Sequence, residues 1–334
     1  MADSTELISV SAVVPTRDRF LALQKTLESL AGQSTQPLEI IVIDASKDSE
    51  TKLLCKRGIP GLQSQIKWAA AEVPGAAAQR NQGAALAAQS FIWFFDDDIV
   101  FEPQCVERLW YALQSDPQLG GVNAMITNQN YGKPGAISRF MFRVMNGKRE
   151  PTYAGRVIGP AINLLPEDRE DLPEVVPVEW LNTTCTIYRR EALPDPPFRA
   201  EFTGYSLMED LALSLEVARN WKLANARTAR IVHESQPADY KSDECSRSCM
   251  ELVNRHFIMT RIMGRRGLVD YAKLLLWELF SIASAGADHS RRKMLLYILR
   301  GKWRAVRQIA SGGGSQAPRA KSREQGAGSK GRRA

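Results

Sequence analysis

The stretch Phe91-Ile92-Trp93-Phe94-Phe95-Asp96-Asp97-Asp98-Ile99-Val100 constrains the fold more than any other part of the chain. Five consecutive bulky apolar residues, rich in β-formers, suit a strand covered on both faces, as in a parallel sheet. Three adjacent carboxylates stand at its carboxyl end, where ligands bind in an open α/β sheet. Carboxylates that close raise one another's pKa, so such a turn becomes favourable when a divalent ion sits in it, and a diphosphate can follow the ion. An acidic turn that merely closes a strand is the alternative, and isolated acidic triplets are common. The neighbouring sequence decides between the two.

Residues 8–15 (ISVSAVVP) are an apolar run closed by a proline, followed by the polar loop Thr16-Arg17-Asp18-Arg19. Phe20, Leu23, Leu27 and Leu30 then recur at helical spacing. A second apolar run, Leu38 to Ile43, also ends in a carboxylate, Asp44. The pattern predicts a helix over 51–62, a strand over 65–71, an alanine-rich helix from Pro74 to about Gln89 that feeds the acidic strand, a helix over 102–114 and a strand over 122–127. Three βα units in about 100 residues require crossovers, which predicts an α/β fold with a mostly parallel sheet and helices on both faces.

From Asn128 to Pro177 the periodicity dissolves into Gly, Pro, Arg and Asn, and the reading is a mobile acceptor-side loop. Residues 178–188 read as strand, 211–221 as helix behind Glu209-Asp210, and 229–233 as a last short strand ending in His233. Two carboxylates at a helix start could equally be a cap against the macrodipole. Beyond Asp239 three helices are predicted, over 246–263, 268–285 and 290–310. The last sets Leu295, Leu296, Leu299, Trp303, Val306 and Ile309 against a basic face that includes Arg300, Lys302, Arg304 and Arg307. Residues 311–334 are rich in Gly, Ser, Arg and Lys without an aromatic residue and are expected to be a disordered basic tail.

The net charge of +7 hides a division. Residues 1–239 carry 24 basic and 30 acidic side chains, whereas residues 240–334 carry 20 basic and 7 acidic. A basic amphipathic end on an acidic body suits the anionic face of a membrane, with nucleic acid as the competing partner. The plain alternative, strongest for the first of the three helices, is packing on the core behind a solvated basic face. Against nucleic acid stands the lack of a sheet-borne aromatic platform or a Cys/His finger in the basic part. The five scattered cysteines have no CxxC spacing and read as reduced thiols of a cytosolic compartment. Met1 to Leu7 has no signal-peptide pattern, and Asp270, Lys273 and Glu278 interrupt the longest apolar stretch. The expected location is therefore the cytoplasm, peripheral on the inner face of the cell membrane.

Taken in order, Val13-Val14-Pro15-Thr16, Ile41-Val42-Ile43-Asp44, Gly75 with Arg80-Asn81-Gln82-Gly83, Asp96-Asp97-Asp98, Trp180-Leu181-Asn182, Glu209-Asp210 and His233 resemble the family-2 nucleotide-sugar glycosyltransferases of the GT-A fold, which are inverting enzymes. The resemblance covers roughly residues 8–235. It implies a Rossmann-like GT-A domain over 1–239, with a nucleotide-sugar half (1–127) and an acceptor half (128–239); the basic amphipathic pattern, not the resemblance, marks 240–310 as a membrane-associating helical region. It also implies that Pro15 and Thr16 line the base, that Asp44 accepts a hydrogen bond from it, and that Arg80 and Asn81 serve the base or phosphates. Asp96 and Asp97 would face the nucleotide, while Asp98 would hold Mn2+ or Mg2+; His233 would complete the metal shell or else stand as a hydrogen-bonded histidine at a strand end. Trp180, Asn182 and Glu209 would lie on the acceptor side, and Asp210 would be the general base. The partners implied are a nucleotide-sugar donor and a glycan or lipid-linked acceptor.

Two departures bear on function. Asp44-Ala45-Ser46 lacks the second acidic residue and glycine of many relatives, and no Gln/Arg-x-x-Arg-Trp signature follows Glu209-Asp210, which favours single addition over polymerisation. The competing enzyme class is a sugar-phosphate nucleotidyltransferase, which would need a glycine-rich loop where Pro15-Thr16-Arg17-Asp18 stands. His256 and His289, among basic helical residues, read as structural.

Overall fold

In the computed structural model, residues 5–129, 131–202, 206–235 and 243–312 are described. The expected boundary at residue 239 and nearly all of the basic tail lie outside them. The chain alternates strand and helix: β1 (Glu6–Thr16), α1 (Phe20–Ala31), β2 (Thr35–Asp44), α2 (Glu50–Arg57), β3 (Gln65–Ala70), α3 (Ala76–Leu86) and β4 (Phe91–Phe95). After the acidic turn come β5 (Ile99–Phe101), α4 (Cys105–Gln114), β6 (Leu119–Ile126) and α5 (Ala136–Asn146). The short strands β7 (Val157–Ile158), β8 (Ile162–Asn163) and β9 (Val175–Val178) lead to β10 (Cys185–Arg189), α6 (Glu209–Val217) and β11 (Lys222–His233).

The main sheet runs β3-β2-β1-β4-β10-β6-β11-β5, with β9 also on β11. β1 pairs in parallel with β2 and β4, β2 with β3, and β6 with β11. β10 runs antiparallel between β4 and β6, and β5 and β9 run antiparallel on β11. Six strands therefore point one way and three the other, which keeps the mostly parallel character read from the sequence. Trp93, Phe94 and Phe95 of β4 are fully buried, alternating between the two faces. Burying each such ring contributes about 1.5–3 kcal/mol, which explains why the run is apolar on both sides.

Helix α3 approaches β1 more closely than a side chain would allow. A Cβ at Gly83 would meet Val13 Cγ1 at 2.2 Å, and Val13 is fully buried. Gln79, one turn earlier, donates to the backbone oxygens of Thr16 at 3.0 Å and Ile43 at 2.8 Å. The helix is thus fastened to the carboxyl ends of β1 and β2, where Thr16 and Asp44 stand side by side.

The segment 128–177 departs from the loop reading. It contains α5, which buries Met141, Phe142 and Met145, and the β7–β8 hairpin, with a small core of its own. Glycines and arginines around Phe140 to Met145 diluted the apolar spacing. β11 is also longer than the expected 229–233, because Asn225, Arg227 and Thr228 interrupt the apolar run of what is a continuous strand. The expected strand over 178–188 splits into β9 and β10, leaving Trp180 and Asn182 in the connection.

The C-terminal helices are α7 (Glu244–Phe257) running into a π-turn at Ile258–Ile262, α8 (Leu268–Ala287), the single turn α9 (His289–Arg292) and α10 (Leu295–Ala310). Ile258 and Ile262 pack with Trp180, Phe202, Met208 and Leu211 of the body. Among the described residues no helix is long and apolar enough to cross a membrane.

Gly83→Ala should lower stability by about 1–3 kcal/mol, because β1 and α3 must separate to admit the methyl group. A urea melt checks it: the midpoint falls, and an unchanged midpoint would mean that the close approach is not tight.

Candidate active site

Four chain segments meet at the carboxyl end of the sheet: the turn after β1, the start of α3, the acidic turn after β4, and the start of α6. β4 ends beside β10, where Asp96 N donates to Thr184 O at 3.1 Å. The next three residues turn sharply, so the adjacent aspartates point to different neighbours.

Asp96 Oδ1 receives Arg80 Nη2 at 2.7 Å. Asp97 is turned inward, taking Thr16 Oγ1 at 2.6 Å and Arg19 Nη1 at 3.1 Å. Burial pushes its carboxyl up to about 7, against the pull of Arg19 and the Thr16 hydroxyl. Asp98 Oδ1 lies 3.1 Å from His233 Nε2, and its Oδ2 lies 3.3 Å from Arg19 Nη1. β11 delivers the histidine, since His233 pairs with Ile99 of β5 just beyond Asp98.

Ligand atoms of Asp96, Asp98 and His233 all lie within 4.8 Å of one another. Two carboxylates and one imidazole, close enough to share one ion and beside an open set of strand ends, fit Mn2+ or Mg2+, which takes few protein ligands and leaves positions for phosphate oxygens. Asp96 thereby joins the set that the sequence assigned to Asp98 and His233. His233 Nδ1 faces Gln129 Nε2 at 3.3 Å. Were a cation held on Nε2, Nδ1 would carry the proton, and Gln129 could accept it with its amide oxygen in place of Nε2.

Arg80 is the centre of the site. Its guanidinium is buried, with Nη2 on Asp96, Nη1 on Glu209 Oε1 at 3.0 Å, and Cζ over the Phe198 ring, 5.6 Å from its centroid. Glu209 and Asp210 open α6 behind Met208, whose φ of 71° is left-handed backbone that a methionine rarely adopts. Burial raises both carboxyls first and most. The Asp210 charge raises Glu209 further, while the Leu211 N–H at 2.7 Å and Arg80 restrain Asp210, which lies at about 6. An aspartate held at a helix start, partly desolvated and with a raised pKa, is equipped to take a proton near neutral pH.

The other residues singled out from the sequence divide into two groups. Thr16 and Asp44 stand together at the ends of β1 and β2. Asp44 already accepts from Ser46 N at 2.8 Å and the Trp68 indole at 3.0 Å, so a base N–H would add to an oriented carboxylate. Pro15 pairs with Ile43 beside them. Asn81 instead grips the Phe198 backbone at both ends, donating to its oxygen at 2.7 Å and accepting from its N–H at 2.8 Å. Trp180 is buried, with its indole N–H on Leu164 O at 2.7 Å, and supports the floor under Phe202 and Leu211. Asn182 is buried with its side-chain oxygen unpartnered.

Three residues, Arg19, Asn254 and Arg255, escaped the sequence reading. Arg19 bridges Asp97 and Asp98, although the sequence offers only one more arginine in a polar loop. Asn254 of α7 donates to Leu207 O at 2.6 Å and so steadies the strained backbone just before Glu209. Its neighbour Arg255 donates to Ala161 O at 2.7 Å in the β7–β8 turn. Nothing in the helical spacing of α7 distinguishes these from ordinary polar residues.

The sequence profile described as glycosyl transferase family 2 matches residues 11–193, which run from within β1 through β10 and include the acidic turn. Among proteins with curated functions, none matches the sequence significantly. The fold is similar to that of a mannosyltransferase, PcManGT from Pyrobaculum calidifontis, solved with GDP-Man and Mn2+: TM-score 0.54, 14% identity, over 91% of this chain and 88% of that one. It is also similar to GalNAc-T7, solved with UDP, GalNAc and Mn2+: TM-score 0.50, 16% identity, over 67% of this chain and 43% of that one.

His233→Ala should weaken Mn2+ binding by at least about tenfold, the loss that even an outer partner of a metal ligand causes. Titration calorimetry on the full chain reads this directly, and unchanged affinity would remove His233 from the donor set.

Proposed function

The chain belongs to glycosyl transferase family 2, and we propose that within it the protein is a metal-dependent, inverting enzyme of single addition, moving one sugar from a nucleoside-diphosphate donor to a hydroxyl of a lipid-linked or surface glycan. The observation that carries this reading is the Arg80 bridge, which ties Asp96 of the metal-binding set to Glu209, the neighbour of Asp210. A donor-side group and an acceptor-side group are thereby held in one rigid unit. The Mn2+ present with both structural neighbours supports a divalent ion here as well.

In this reading Pro15, Thr16 and Asp44 take the base, and Asp96, Asp98 and His233 hold the ion. When bound, the ion offsets the charge that develops on the departing diphosphate. Asp210 accepts the proton of the acceptor hydroxyl as its oxygen attacks the anomeric carbon from the side opposite the leaving group. One base and one displacement invert the configuration. Glu209 keeps Arg80 in place, and Arg80 keeps a positive charge between the donor and acceptor halves. The glycine-free turn after β1 speaks against a sugar-phosphate nucleotidyltransferase, since no cradle for a triphosphate stands there. The charge division of the chain supports an acceptor presented at the anionic inner face of a membrane, to which the protein attaches peripherally from the cytoplasm.

Screening UDP-, GDP- and dTDP-sugars for Mn2+-dependent hydrolysis identifies the donor, and no turnover of any of them would end this reading. Asp210→Asn should then lower transfer by about 10²–10⁴-fold while donor affinity stays within a factor of a few, because the base is lost and the metal set is untouched. Transfer at the wild-type rate would reassign the base.

The raised pKa of Asp210 gives transfer an acid limb. The carboxylate is the active form, so the rate is full above its pKa and falls tenfold per pH unit below about 6. The free-enzyme group is read in kcat/KM, and a kcat/KM profile that stayed flat down to the ordinary aspartate range would contradict the role.

A further inference from the structure

Helix α8 contains three charged residues, and at 100° per residue none of them lies on its outer arc. Asp270 caps the Gly267 N–H at 2.9 Å. Lys273 Nζ reaches Met145 O on α5 at 2.7 Å. Glu278 is buried against Lys302 Nζ at 2.6 Å and Arg255 Nε at 3.5 Å. The side chains left facing out include Leu268, Val269, Leu275, Leu276 and Leu279, with Leu268 91%, Leu275 62% and Leu279 55% exposed. At 100° per residue they fall in one continuous arc that carries no charge, along a helix of about 30 Å.

Helix α10 continues the pattern with a different edge. Ile298, Gly301 and Ala305 face inward, and Gly301 crosses α7 so closely that a Cβ would meet Cys245 O at 2.3 Å. Leu296, Leu299, Trp303 and Val306 face out, and Arg300, Arg304 and Arg307 border them on the adjoining arc. Lys302, expected on that basic face, is instead buried in the ion cluster. Packed on α8 through Phe142 and Trp277, α5 adds exposed Ile137 and Phe140.

We infer that α8 and α10 lie flat in the headgroup region of an anionic bilayer, α8 as the inserted apolar element and α10 as the basic border, with α5 of the acceptor half beside them. The charge pattern selects this occupant. A second copy would set the arginines of α10 against like charges, whereas anionic headgroups meet them and the acyl boundary receives the uncharged arc. The inference rests on the proposed transferase reading and deepens it: because α5 is fastened to α8 by Lys273 and Trp277, docking brings the acceptor half to the lipid surface, and the acceptor is a molecule carried in that surface.

The test is co-sedimentation of the full chain with vesicles of phosphatidylcholine, with or without phosphatidylglycerol. The wild type should pellet with the anionic vesicles. Leu275→Ser with Leu279→Ser should lose at least about tenfold in affinity. Arg300→Gln with Arg307→Gln should lose the preference for phosphatidylglycerol and its salt sensitivity. Hydrolysis of the nucleotide sugar in vesicle-free solution should be unchanged in both variants. Failure of the wild type to pellet overturns the docking surface. So does a dimer, seen by light scattering, that the serine variant breaks, since a second copy would then cover the face. Sedimentation without any nucleotide-sugar turnover would leave the surface standing and sink the transferase reading alone.

Discussion

Arg80 occupies the position on which the site depends. Removing a guanidinium from water costs several kcal/mol and is offset only when its donors meet well-placed acceptors. Here the acceptors come from two different elements, Asp96 after β4 and Glu209 at the start of α6, so the two Nη atoms are both paired only if both elements are in place, while the buried Nε has no partner among the described residues. The converse also holds. Asp96, Asp97, Asp98, Glu209 and Asp210 crowd one end of the sheet, and Arg80 and Arg19 are the positive charges seen among them. Arg80 gets there because α3 closes on β1 over Gly83, and because Gln79 fastens the same helix to the ends of β1 and β2.

The parts of this arrangement legible in the sequence were those encoded by short continuous runs. β4 with its acidic turn, β2 ending in Asp44, and Glu209-Asp210 before α6 each announce themselves locally, because an apolar run and the polar residue that ends it are adjacent in the chain. The family resemblance then supplied their order. What the sequence could not convey was direction. Three consecutive aspartates look alike, yet the turn sends Asp96 to Arg80, Asp97 inward to Thr16, and Asp98 to His233. That choice depends on the partners of β4 and β5 in the sheet, which lie more than 70 residues away for Thr16 and more than 130 for His233.

The same limit explains the residues whose surroundings differ from expectation. Asn81 and Trp180 sit in motifs that resemble those of the family, and both turn their polar atoms to backbone, at Phe198 and Leu164. An amide or an indole has the same donors whether it meets a sugar or a carbonyl, so composition could not separate the two. α5 and the first half of β11 were obscured for a different reason. Each mixes polar and charged residues into its buried pattern, because one face meets the body and the other meets solvent or, for α5, the surface shared with α8.

The buried charges of the C-terminal helices join fold to function. Glu251, Arg255, Glu278 and Lys302 bring two acids and two bases together where α7, α8 and α10 meet. Burial alone would raise Glu251, but Arg255 and Lys302 prevail and hold it down at about 2. A well-packed apolar core of the same volume would be at least as stable, so such a cluster contributes geometry more than energy. The geometry it enforces is twofold. Turning Glu278 inward leaves the outer arc of α8 free of charge, and turning Arg255 inward lets it reach the Ala161 carbonyl while Asn254, one residue earlier, holds Leu207 before the strained Met208 and the acidic pair. One set of contacts thus ties the exposed apolar face to the backbone that aims Asp210, so the helices that meet a surface and the residue that would deprotonate an acceptor cannot be positioned independently.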